Sequence, residues 1–253
     1  MNVKKISLGL MISAIVLTSC RPKQFQVLNM RGVIVEMNDT FDNAPNKQLG
    51  ELVLNYKSIL DKEMNQVVGQ SSELMDYGVP ESMLTNFTSD VMKQYADNRL
   101  ANGADIAVMN VHGHRATLPK GDVTLGNLYE IYSFDNTITY LELKGDNVIK
   151  MFDSYAYMGG AGISSNVKLV IKDRKVESVT IDGKEIDKDK MYNIVTLDYL
   201  ADGNNGMEAF LNAESVNNSG VTLRDIMIEY VNEQTQQGKV LTSELDGRIT
   251  IIQ

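Results

Sequence analysis

His112 and His114 are the only histidines in the chain. An H-x-H pair on a strand or loop can offer two imidazoles to one metal ion. A metal also needs a third ligand, often a carboxylate or a further imidazole. No H-E-x-x-H or clustered Asp/His pattern supplies one. Either ring could act as a general base, but no serine or cysteine nucleophile motif accompanies it. There is no G-x-x-x-x-G-K-[ST] loop, and Gly159-Gly160-Ala161-Gly162 is not a dinucleotide fingerprint. Taken alone, these residues describe the wall of a binding pocket. No metal and no cofactor is expected in this chain.

Composition narrows the partner. The chain has 253 residues, of which 43% are hydrophobic and 23% charged, which excludes a disordered chain and a polytopic membrane protein. Lys and Arg number 24 against 33 Asp and Glu, a net charge of -9. An acidic chain gains nothing from counterion release, so a nucleic-acid polymer is excluded as the expected partner. A small anion would need a local basic pocket working against the overall field.

The elements that must position these residues follow from periodicity and turn chemistry. Val27–Asn38 alternates and reads as a strand, and Asp39–Lys47 as a loop. Gln48–Met64 and Met83–Leu100 carry apolar residues at helical spacing, with Asn102-Gly103 as the stop of the second. A buried strand follows, Ala104–Asn110, then a loop over Val111–Gly121 that holds both histidines and Arg115. Thr124 caps a short helix to Tyr132, Asn136–Lys144 is a strand, and Val148–Met158 a helix. Gly159–Gly162 reads as the most flexible stretch. Strands are expected at Val167–Ile171, Val176–Ile181 and Tyr192–Leu197, and a polar loop at Asp202–Gly206. Thr222 opens a last amphipathic helix, and Arg248–Ile252 closes as a strand. Hairpin strands and separated helices argue an α+β fold, a single domain with a mixed β-sheet and packed helices.

The first twenty residues read as an address. Lys4 and Lys5 precede an apolar run, Ile6–Leu17, that is too short for a bilayer span of roughly 20 residues but suits a signal peptide. It ends in Leu17-Thr18-Ser19-Cys20, which resembles the lipobox of bacterial lipoproteins. The chain's single cysteine stands where lipid attachment requires it. Residues 1–19 are therefore expected as a signal peptide, with Cys20 lipidated. Residues 20–47 form a tether and N-terminal strand region, and 48–253 the folded domain. The expected location is the cell envelope, lipid-anchored in the periplasm or at the outer membrane.

Four stretches carry a family resemblance. Gly103-Ala104-Asp105-Ile106-Ala107 running to Asn110-Val111-His112-Gly113-His114-Arg115 is similar to "GADIA…NGGGIR". Gly121-Asp122-Val123-Thr124 with Ser133-Phe134-Asp135-Asn136-Thr137 is similar to "GDIT…PFGNT". Tyr192 to Gly206 is similar to "Y-x-V-x-T-x-D-F-x-A-x-G-G-D-G", and Glu81 to Asp90 to a worn "E-T-N-L-G-N-L-x-x-D". Together they resemble the C-terminal domain of 5′-nucleotidases, the family that includes periplasmic UDP-sugar hydrolases. In that family this domain binds the nucleotide, while a separate metallophosphatase domain holds two metals and hydrolyses it.

By motif position, the resemblance implies that Phe134 and Tyr199 sandwich the base and that Asn110 bonds its edge. It implies that Arg115 holds ribose or phosphate, and that Asn205 stands where the family has an aspartate for the ribose hydroxyls. On residue type alone, either aromatic could equally be core, Asn110 a turn residue and Arg115 a solvated loop charge. The family's second basic residue is missing from Tyr77-Gly78-Val79-Pro80. Divalent metals are expected only in a partner. The expectation is therefore the nucleotide-recognising half of a split 5′-nucleotidase, working with a separately encoded metallophosphatase. The alternatives are a solitary nucleotide- or nucleoside-binding lipoprotein and a degenerate interaction module.

Overall fold

The computed structural model describes residues 29–36, 38 and 47–252. The signal-like segment, Cys20, the tether and the 39–46 part of the expected loop lie outside the described residues. Residues 29–36 and 38 have no regular structure and are exposed, so the strand expected over Val27–Asn38 is not formed there. Alternation marks a face that could be buried, but a strand also needs a neighbour to satisfy its backbone ladder. No strand among the described residues takes this segment as its neighbour.

The chain divides into two units, one through Glu51 and one from Leu52 onward. Helix α1 (Lys47–Met64) forms where periodicity placed it, yet none of its residues is buried. Leu52, Val53, Tyr56, Ile59 and Leu60 are all exposed. After it come β1 (Val67–Ser71), α2 (Met83–Asp97), β2 (Ile106–Met109), a 3-10 turn at Val111–Gly113, β3 (Gly121–Thr124) and α3 (Leu125–Ile131). Then follow β4 (Thr137–Lys144), α4 (Gly145–Met158), β5 (Gly162–Ile163), β6 (Val167–Lys172), β7 (Lys175–Ile181) and β8 (Lys184–Glu185). The chain finishes with β9 (Met191–Leu197), α5 (Asp198–Ala201), a 3-10 turn at Glu208–Asn212, β10 (Ser215–Thr222), α6 (Leu223–Gln236) and β11 (Ile249–Ile252).

Five of these strands, β1, β3, β5, β8 and β10, are not legible in the hydrophobic pattern. Three have at most four residues, and β10 reads Ser-Val-Asn-Asn-Ser-Gly-Val-Thr. Helix α2 stops at Asp97 rather than at Asn102-Gly103. The Asp97 carboxylate accepts from the Ala104 amide (2.9 Å), and Gly103 turns the chain at φ 65°.

The central sheet is mixed, in the order β10-β4-β9-β2-β5. β2 runs parallel to β9, and the other neighbours are antiparallel. Alternation sends Ala107 and Met109 to one face, against α2, α3 and α6, and Ile106 and Val108 to the other, against α4 and β6. All four β2 residues are buried, as a strand shielded on both faces requires. A second sheet, β11-β6-β7-β8, and the β1-β3 ribbon complete the α+β fold.

Three local devices shape the end of the sheet where the family motifs meet. Thr124 and Asn127 form a reciprocal capping box that starts α3. Asp173 and Arg174, both at positive φ (50° and 60°), make the tight β6–β7 turn. The Gly159–Gly162 stretch, expected to be flexible, is packed. Gly160 has φ 135°, and a Cβ there would stand 2.2 Å from the Pro80 carbonyl. Glycine serves here for close backbone approach.

Candidate functional site

The sheet topology explains how residues from distant motifs meet. Because β4 is antiparallel to β9 and β9 parallel to β2, the C-terminal ends of β2 and β9 share one end of the sheet with the start of β4. Asn110 and Arg115 follow β2, Phe134 precedes β4, and Tyr199 and Asn205 follow β9. The structure brings all five into one cleft of about 340 Å³, whose wall His112, Gly113 and Asn136 complete.

Neither aromatic is core: Phe134 is 49% and Tyr199 43% exposed. The Arg115 guanidinium lies 5.5 Å from the Phe134 ring centroid and makes no ion pair with any described residue. The Asn110 Oδ1 is buried without a hydrogen-bond partner among the described residues. Asn205 adopts φ 56°, a left-handed conformation that asparagine tolerates better than most residues. Its Nδ2 lies 3.6 Å from the Met158 sulfur.

Residues outside the expected set hold these groups in place. Asp198 accepts from the Tyr199 amide (2.7 Å) and from the Thr137 hydroxyl (2.9 Å). Asn204 Nδ2 donates to the Tyr199 carbonyl (2.9 Å). The start of β4 and the Tyr199 turn are thereby joined. Arg224 on α6 clamps the Phe134 loop, donating to the Tyr132 carbonyl and the Asp135 carboxylate while lying over Tyr129. Thr137 and Asp198 sit inside motif stretches and were findable there; nothing in the sequence marks Arg224.

The two histidines part company. His112 lines the cleft, whereas His114 is buried between the rings of Tyr77 and Tyr132, with centroids at 5.8 and 5.6 Å. A carbonyl can only accept, so His114 Nδ1 donates to Val111 O (3.2 Å), and Nε2 of the neutral ring accepts from the Thr88 hydroxyl (2.8 Å). Burial holds the His114 imidazole down at about 4, with the Val111 hydrogen bond acting weakly against it. With both nitrogens engaged, His114 is no metal ligand. Among the described residues no group of three His, Cys, Asp or Glu could hold a metal ion.

The 81–90 motif does not face the cleft. Glu81 accepts from Asn86 Nδ2 (2.7 Å) and from the Asp246 amide (2.9 Å). Asp90 takes a two-pronged contact from the buried Arg248, both at 3.0 Å. These residues pin the 244–248 segment to α2, a structural role.

Among the described residues the cleft therefore offers two exposed rings, a cation with no ion pair, amide groups and no carboxylate. It can stack a planar ring, bond its edge and hold an anion. A family model described as "5'-nucleotidase, C-terminal domain" matches residues 67–212. The chain is 32% identical over 141 residues to protein UshA of Yersinia enterocolitica, covering 53% of this chain and 25% of that protein. It is 29% identical over 136 residues to a 5'-nucleotidase of Vibrio cholerae, covering 51% and 24%. The chain thus spans about a quarter of the length of these curated relatives. The crystal structure of a 5'-nucleotidase precursor from Thermus thermophilus superposes with a TM-score of 0.70 at 24% identity, covering 83% of this chain and 44% of that one; at that identity the likeness bears on the fold. With a family model matching more than half of its residues, this chain belongs to the 5'-nucleotidase C-terminal domain family.

Proposed function

We propose that this chain is the nucleotide-recognising half of a split 5′-nucleotidase. It stacks the base between Phe134 and Tyr199, bonds the base edge through Asn110, and faces ribose and phosphate with Asn205 and Arg115. Metal-assisted hydrolysis of the phosphoester belongs to a separately encoded metallophosphatase. The observation that carries this reading is the convergence of Asn110, Arg115, Phe134, Tyr199 and Asn205 on one cleft, with both rings exposed.

The test is a phosphate-release assay on a panel of nucleoside monophosphates with added divalent metal. The pure chain should release none, and turnover should appear when a metallophosphatase encoded beside it is added. Metal-dependent turnover by the chain alone, lost in His112→Ala and His114→Ala, would overturn the reading. Binding without turnover under either condition would favour a solitary nucleotide-binding lipoprotein.

The proposal extends to the cell envelope, where a lipid on Cys20 anchors the protein. Its support is the lipobox-like ending of the apolar leader at the chain's single cysteine. Among the described residues no helix is long and apolar enough to cross a membrane. Cys20→Ser should move the protein from the membrane fraction to the soluble one and abolish acyl labelling. A wild type with no acyl label, or a mutant still on the membrane, would rule out the anchor.

A further inference from the structure

A second chamber, of about 300 Å³, lies against the cleft and shares Asn110, His112 and Asn205 with it as a common wall. Val79, Gly160, Tyr155, Tyr157 and Arg174 help to line it. Two backbone features give it its shape: Gly160 drawn against Pro80, and the left-handed turn at Asp173-Arg174 that directs the hairpin.

Three observations give this chamber a preference for negative charge. Arg174 stands with its guanidinium 5.1 Å from the Tyr157 ring centroid and makes no ion pair or hydrogen bond with any described residue. Its planar fork of donors is therefore available, and the ring beneath restricts where the fork can go. Among the described residues no aspartate or glutamate lines either chamber, although the chain carries a net charge of -9. Finally, the wall contains a buried hydroxyl, that of Tyr155, with no partner among the described residues. Tyr155 has no measurable exposure, and leaving such a group unbonded is costly. A hydroxyl donor and an unspent guanidinium in the lining of one chamber suit an oxyanion.

We propose that Arg174 is a second anion-binding residue of the same elongated site, and that the phosphate chain of a nucleotide reaches it from the aromatic cleft across the shared Asn110–Asn205 wall. Arg174 comes from the β6–β7 turn and lines the chamber together with Val79, so a cation reaches this wall from a different part of the chain than the arginine-free 77–80 segment. The inference rests on the cleft taking the base, and it adds that affinity rises with the number of phosphates.

Calorimetry with a nucleoside, its monophosphate and its diphosphate on wild type, Arg174→Gln, Arg174→Asn and Phe134→Ala tests it. Asparagine is included because it accepts the left-handed backbone of the turn. Both Arg174 variants should leave nucleoside affinity unchanged and weaken the diphosphate by about tenfold or more, the scale of one charge-assisted hydrogen bond. The monophosphate should lose less. Equal losses for nucleoside and diphosphate, no loss for any ligand, or no binding of any ligand to wild type would overturn the proposal. If Phe134→Ala leaves nucleoside binding intact while the Arg174 variants weaken the diphosphate, Arg174 binds the anion and it is the base reading that fails.

Discussion

Tyr199→Ala and Phe134→Ala should each weaken nucleoside binding by about 1–3 kcal/mol, the scale of one base–aromatic stacking contact. That corresponds to about a fivefold to 150-fold rise in Kd. Under the proposed reading the two rings grip one base, so the double variant should lose less than the sum of the single losses. Since both rings are about half exposed, truncating them leaves little cavity, and thermal midpoints should barely move. Arg115→Ala should behave differently, weakening nucleotides more than nucleosides, because only phosphate exploits its charge fully. Titration calorimetry on folded variants decides the matter. Losses in binding that simply follow losses in Tm would assign the two aromatics to packing.

Acid should expose the cost of burying His114. Its folded-state value, about 4, lies below the ordinary 6.5, so the unfolded chain takes up a proton first as pH falls. The stabilising effect of the neutral ring is complete above pH 6.5. It drains away between 6.5 and about 4, and below that changes no further, for a total of roughly 3 kcal/mol. Denaturant melts of wild type and His114→Gln across this window should show the steeper acid dependence in wild type, by about that amount. With only two histidines in the chain, NMR gives a direct reading once His112→Ala assigns the signals. A buried ring titrating near 6.5 would contradict the geometry. Because Arg115 directly follows His114, and its amide donates to the Ile131 carbonyl (3.0 Å), acid loosening at this point reaches the cleft itself.

Much of the domain could be read from sequence because its long elements bury one stripe or both faces. Helices α2, α4 and α6 and strands β2, β4 and β9 lie within a few residues of their expected spans. The pattern fell silent where burial was not the organising force. Strand β10 is polar and largely exposed, and it exists because β4 offers it a ladder. For Val27–Asn38 the pattern is present, but no strand among the described residues pairs with its described part. Helix α1 shows the same limit, since periodicity defines an apolar face and says nothing about its cover. At the cleft, the five expected residues could be placed by motif position. The network that aims them could not: Arg224 meets the Phe134 loop only in the folded chain, and Gly160 looks like slack in the sequence but is a close contact in space.

The parallel pairing of β2 with β9 has a temporal meaning. Ile106 lies opposite Ile194, so the two walls of the cleft come from segments synthesised far apart and joined by a long excursion through α4 and β6–β8. Contacts of such wide separation in the chain form slowly, because the intervening loop must close before they repay it. A nascent or truncated chain that ends before β9 can carry Asn110, Arg115 and Phe134 yet lacks the opposing ring and the strand that aligns them. Under the proposed reading, ligand capture would therefore mark completion of the whole domain, and unfinished copies would not hold nucleotide back from finished ones.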